Sequence, residues 1–90
     1  MDLLQFQAQL ASEGYQTVTT VRQGAGYQMG EHAHPFDALA LILEGDFTIT
    51  VAGERRHYAA GEVFRLAAGT VHTEHSVGGV VYRAGRRSKE

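Results

Sequence analysis

Ninety residues make one domain, and a chain this short buries only about 60% of the surface its unfolded form exposes, so a closed barrel, a bound metal or a partner subunit is expected to support its thin core. Apolar residues are 43% of the chain and charged residues 20%, with a formal charge of −2; this globular balance excludes a disordered or fibrous chain and offers no basic face to nucleic acid. Cysteine is absent, which excludes disulfides and thiolate metal sites, and with neither a signal-like start nor an apolar run near ~18 residues the expectation is a cytoplasmic protein that does not cross a membrane.

The chain opens on a helical pattern. Between Asp2 and Gly14, Leu3, Phe6 and Leu10 fall on one stripe with Leu4, Ala8 and Ala11 beside it, which predicts one short amphipathic helix over 2–14, packed on the rest of the domain. Asp2 is placed to accept from the free amides of the first turn, and Gly14 to take the left-handed conformation that ends a helix. The stretch carries Asp2 and Glu13 and no Lys or Arg, so a targeting peptide is set aside.

From Tyr15 the period changes to two. Thr17, Val18, Thr19, Thr20 and Val21 are β-branched, and Gly24 and Gly26 mark a turn. Gly45, Gly53, Gly61, Gly69 and the Gly78-Gly79 pair punctuate the remainder of the chain at intervals of eight to ten residues, the spacing of an all-β sandwich or barrel over 15–85. Leu39 to Leu43 is a near-continuous apolar run, as in a strand covered on both faces. Asp46 to Val51 alternates, so Phe47, Ile49 and Val51 share a buried face. Arg83, Arg86, Arg87 and Lys89 gather at the end, where 86–90 reads as a solvated tail, and the sequence assigns no role to Arg86 or Arg87.

Five histidines occur, and their positions carry the chemistry. His32 and His34 are two apart, so on a strand their rings project to one face and converge. Alone, such a pair is as often an exposed polar pair ahead of Pro35. His72 lies far away in sequence, between Gly69 and Gly78, but within reach inside a closed β structure. By the same rule His72, Glu74 and Ser76 share one face; Glu74 is then a ligand, an acid or base beside an ion, or a hydrogen-bonded group that orients a histidine. His75 faces the other way, and His57 in the strand Glu54 to Tyr58 reads as a surface or structural histidine.

The spacing resembles the two motifs of the cupin family. Gly26, five residues, His32-x-His34, three residues to Ala38 and six more to Gly45 is similar to the first; Gly61, five residues, Ala67-x-Gly69, two residues, His72 and three residues to Ser76 is similar to the second. The resemblance covers 26–76. It implies a cupin-type double-stranded β-helix, a small jelly-roll barrel, in which His32, His34 and His72 bind one divalent ion. Three positions depart from the pattern: Ala38 replaces the glutamate that commonly serves as fourth ligand, Ala67 the usual proline and Ser76 the usual asparagine. Cupins resembling thiol dioxygenases hold a metal on three histidines without that glutamate. Asp37, one residue early, should face outward by alternation, and Glu74 is the better substitute.

Nitrogen and oxygen ligands suit zinc, iron, nickel, manganese or copper. Three protein ligands leave positions for water or substrate. Phe36, Phe47, Phe64 and Tyr82, with Ser76, are candidates to line a pocket for a small organic molecule, with plain core the commoner role for each aromatic ring. Two functions are compatible with such a site: a metal-dependent oxygenase or isomerase, or a non-catalytic module that binds or senses a small ligand or the metal. A homodimer is expected, because a thin barrel leaves sheet faces and edges that a second copy covers.

Overall fold

The computed structural model describes residues 1–88. A helix, α1 (Leu3–Ser12), precedes seven strands: β1 (Thr17–Gln23), β2 (Tyr27–His32), β3 (Phe36–Val51), β4 (Glu54–Ala59), β5 (Val63–Leu66), β6 (His72–Ser76) and β7 (Val80–Ser88). All the strand pairings are antiparallel. β1, β7, β5 and the first part of β3 form one sheet; β2, β6, β4 and the last part of β3 form the other. The architecture is the all-β barrel with one N-terminal helix that the patterning implies.

Asp2 caps α1 as its side-chain type requires. Its Oδ1 accepts from Gln5 N at 2.8 Å while Gln5 Oε1 accepts from Asp2 N at 3.1 Å, a reciprocal box that satisfies two amides without a helical partner. Gly14, just past the helix, has φ 78°, the left-handed end expected of it. Phe6 and Leu10, one turn apart, are buried against Tyr15, Leu39 and Leu41 on the outer face of β3. Leu3 and Leu4 lie in the first turn and stay exposed, so the apolar stripe buries less of the helix than its pattern suggests.

Leu39 to Ile42 are buried on both faces of β3: Leu39 and Leu41 outward under α1, Ala40 and Ile42 inward with Phe47, Ile49, Phe64 and Val80. This is the doubly covered strand that the apolar run announces. Gly45, however, marks no turn. β3 runs through it, and a register shift between Ile42 and Glu44 lets the strand leave one sheet and enter the other. Gly45 has φ 83°, and a Cβ there would lie 2.0 Å from Gly79 O. The crossing thus needs a residue with no side chain.

The chain end also differs from expectation. Arg86 and Arg87 belong to β7, paired with Ala38 and Asp37 of β3, so the first part of the supposed tail is sheet; Lys89 lies outside the described residues. Inward and outward positions alternate along β7. Tyr82 and Ala84 pack against the barrel core, while Arg87 stacks over Tyr15 at 4.6 Å outside it and its Nη2 pairs with Asp37 Oδ2 at 2.9 Å. No helix among the described residues is long and apolar enough to cross a membrane.

Candidate metal centre

His32 ends β2 and His72 opens β6, and the two are directly paired across the antiparallel ladder. Inward-facing partners in such a pair stand side by side, which brings their ring centroids to 4.2 Å. His34 follows two residues on, with its ring 4.9 Å from His32 and 5.5 Å from His72. Glu74 shares the face of His72, as alternation requires. One ligand atom from each of His32, His34, His72 and Glu74 lies within 4.8 Å of all the others. The structure therefore brings these four side chains together.

Their hydrogen bonds fix which atoms face inward. His32 Nδ1 is 2.8 Å from Gly30 O, and His72 Nδ1 is 2.9 Å from Thr70 O. A carbonyl only accepts, so each Nδ1 carries a proton, and in its neutral form each ring offers its Nε2 lone pair. Those two Nε2 atoms face Glu74 Oε2 at 3.3 Å and 3.0 Å. Three lone-pair donors converging in this way need a proton or a cation among them, and a donor set of imidazoles and carboxylate oriented through their outer atoms fits a divalent metal.

The surroundings suit the same role. The side chain of His72 is 1% exposed and that of Glu74 11%. Burial, followed by the neighbouring His32 and His72, holds the pKa of His34 below the ordinary histidine value, which favours the neutral ring that a metal requires. Tyr27 Oη donates to Glu74 Oε1 at 2.8 Å and so leaves Oε2 to the histidines. Burial, then Glu74 itself, pushes the Tyr27 phenol above the usual tyrosine range and keeps it a donor.

Beside the four side chains is a cavity of about 50 Å³, lined by His34, Phe36, Ala38, Phe64, Glu74, Tyr82 and Arg86 among others. Phe36 stacks on His34 at 4.9 Å. The Tyr82 phenol is pushed up to about 12, first by burial and then by the charge of Glu74. Two residues expected at the pocket stand elsewhere. Phe47, fully buried, lies behind Phe64 and Tyr82 at 5.6 Å and 5.2 Å as plain core. Ser76 is fully buried and its Oγ accepts from Gly79 N at 3.0 Å, holding the turn before β7. His57 is on the other side of the sheet, 2.9 Å from Thr48 Oγ1, and His75 pairs with Thr48 and Gln28 away from the cluster. Asp37 faces outward, as alternation has it, accepting from Ala68 N and Arg87.

Tyr27 and Arg86 are the site residues that sequence reading left out. For Arg86 a signal existed: counting by two from Tyr82 along β7 puts it on the inner face. For Tyr27 there was none. Tyr27 and His32 are an odd number of residues apart and should face opposite ways, but β2 shifts register between Met29 and His32, and the extra residue puts both inside.

Known proteins share this architecture. The family model for the cupin domain matches residues 18–83. A conserved protein of unknown function from Streptococcus pyogenes is 27% identical, with a TM-score of 0.73 over 81% of this chain, which spans 64% of that protein's length. A cupin superfamily protein from Desulfitobacterium hafniense is 17% identical, with a TM-score of 0.70 over 83% of this chain and 81% of its own. The EutQ protein of Clostridium difficile has a TM-score of 0.75 at 10% identity, over 88% of this chain and 61% of its own. Comparison with curated proteins gave no match. With the family model covering all of β1 but its first residue and running through part of β7, and the same barrel in cupins of solved structure, the chain belongs to the cupin family.

Proposed function

We propose that this cupin holds one divalent transition-metal ion on His32, His34, His72 and Glu74 and presents a small organic ligand to it, as a metal-dependent oxygenase or isomerase does. The observation that carries the reading is the convergence of the His32 and His72 Nε2 atoms on Glu74 Oε2 at 3.3 Å and 3.0 Å, with both Nδ1 atoms tied to backbone carbonyls. When bound, such an ion supplies Lewis acidity or, as iron, dioxygen chemistry. The chain's own groups do the rest. His32 and His72 are oriented by Gly30 and Thr70, Glu74 is held by Tyr27, and Phe36, Phe64 and Tyr82 wall the ligand from water.

A second reading, a non-catalytic module that senses a small ligand or the metal, draws on one observation: the cavity of about 50 Å³ leaves little room to recognise a large substrate. Elemental analysis of the purified native protein, then oxygen uptake and product analysis against thiols, diketones and small acids, separates the two. One equivalent of metal with turnover supports the enzyme. Metal without turnover supports the module, and a protein free of metal after exposure to zinc, iron, nickel, manganese and copper overturns the enzyme and the metal sensor, leaving only a module that takes a small ligand without an ion. The reading includes a cytoplasmic homodimer, for which β1, at the end of the strand order, offers an edge to a second copy. Light scattering that finds only monomer at micromolar concentration overturns the dimer.

A further inference from the structure

We infer that the mouth of the barrel beside the metal centre is a carboxylate-binding subsite, in which Arg86 takes the carboxylate of a small organic acid whose other end fills the cavity. The inference rests on the proposed metal site and names the class of ligand that site receives.

Arg86 points into the barrel mouth because β7 alternates, and it is held there. Its guanidinium lies over the Phe36 ring at 4.6 Å, and Phe36 in turn stacks on His34 at 4.9 Å. The cation is thus two ring contacts from a candidate metal ligand, and its stacking on Phe36 holds the guanidinium beside the cavity, where its fork of donors suits a carboxylate. Among the described residues no carboxylate pairs with it, whereas Arg87, its outward neighbour, pairs with Asp37 and donates to Glu13 O at 2.6 Å. The residue directly opposite Arg86 in the ladder is Ala38, which also lines the cavity. A carboxylate on β3 at that point would face Arg86 across the ladder; the methyl group of Ala38 supplies no such counter-charge and leaves the space open.

Charge and size point to the same ligand. Three neutral imidazoles, one carboxylate and a divalent ion leave the centre with one net positive charge, and Arg86 adds another, so an anion is favoured. A cavity of about 50 Å³ holds roughly three to five water-sized groups. A mono-acid of a few carbons meets both limits. Its apolar part would lie against Phe64 and Tyr82.

The test uses zinc-loaded protein and two probes of one shape, acetate and acetamide, followed by NMR shifts of backbone and arginine side-chain signals, with zinc content measured in every variant. Acetate should give a saturable shift at Phe36, Ala38, Tyr82 and Arg86, and acetamide none. Arg86→Gln should weaken acetate tenfold or more at unchanged zinc content, and Arg86→Lys should weaken it less. Arg83→Gln, which removes an equal charge from an outward side chain bonded to Thr20, should leave binding as it was. Equal binding of the two probes, no saturable shift with acetate, or full affinity in Arg86→Gln overturns the subsite and leaves the metal reading standing. If the chain takes up no zinc, the metal reading fails, and the same comparison of wild type with Arg86→Gln on metal-free protein decides the subsite by itself.

Discussion

Replacing Glu74 by Gln probes the centre with the least change of shape. The carboxylate sits 3.0 Å and 3.3 Å from the Nε2 atoms of His72 and His32 and accepts from Tyr27 at 2.8 Å. Gln keeps the volume and an acceptor for Tyr27 but removes the negative charge that a cation meets. Loss of a group that merely orients a ligand weakens metal binding about 10- to 100-fold, and loss of a charged ligand belongs at or beyond the upper end. A 100-fold weaker site loses about 2.7 kcal/mol of metal-linked stabilisation, which in a domain of this size lowers Tm by roughly 10–20 °C in the metal-loaded form. The metal-free form should move the other way or not at all, because the Gln amide donates to a histidine lone pair that a carboxylate can only face. Differential scanning calorimetry of both proteins, with and without saturating zinc, reads both effects. If Glu74→Gln melts with zinc at the wild-type temperature, Glu74 neither holds nor supports a metal. If it is destabilised equally with and without zinc, its role is structural.

The fold sets three further outcomes. Gly45→Ala puts a Cβ 2.0 Å from Gly79 O on a residue with φ 83°; the left-handed backbone alone costs about 1–2 kcal/mol, and with the backbone clash urea melts should show a loss above that, whereas no change in midpoint would refute the account of the strand crossing. Arg87→Gln breaks the ion pair to Asp37 and the bond to Glu13 O and should lower the urea midpoint with metal content unchanged, since the pair lies outside the barrel; reduced metal binding would contradict that placement. Glu13 is lowered from 4.5 to about 2, first by its hydrogen bond to Arg65 and then by Gln9. A carboxyl depressed in the folded state contributes stability that is present above the unfolded value of 4.5 and lost as pH falls toward 2. Tm measured between these pH values should therefore fall less steeply in Glu13→Gln than in the wild type, and parallel profiles would count against the pair.

Local pattern carried much of the site because alternation is a local rule. It placed His72 and Glu74 on one face, sent His75 and Asp37 to the other, and set His57 apart. The same rule misjudged Ser76 and Phe47, since facing inward does not say how deep a side chain lies. Ser76 faces in but is taken up by the Gly79 amide, and Phe47 is one layer behind the cavity wall.

The order of residues alone settled that this is a cysteine-free, strand-rich domain capped by one helix, with a histidine pair and a distant third histidine in cupin spacing, because composition, period and glycine punctuation are properties of neighbours along the chain. Tertiary structure decided the rest. The bulge in β2 turns Tyr27 toward Glu74, the register shift before Gly45 carries β3 between sheets, and the pairing of β3 with β7 sets Arg86 against Ala38. Each depends on register between strands far apart in sequence, and a slip of one residue, which no local period reveals, exchanges the inner face for the outer.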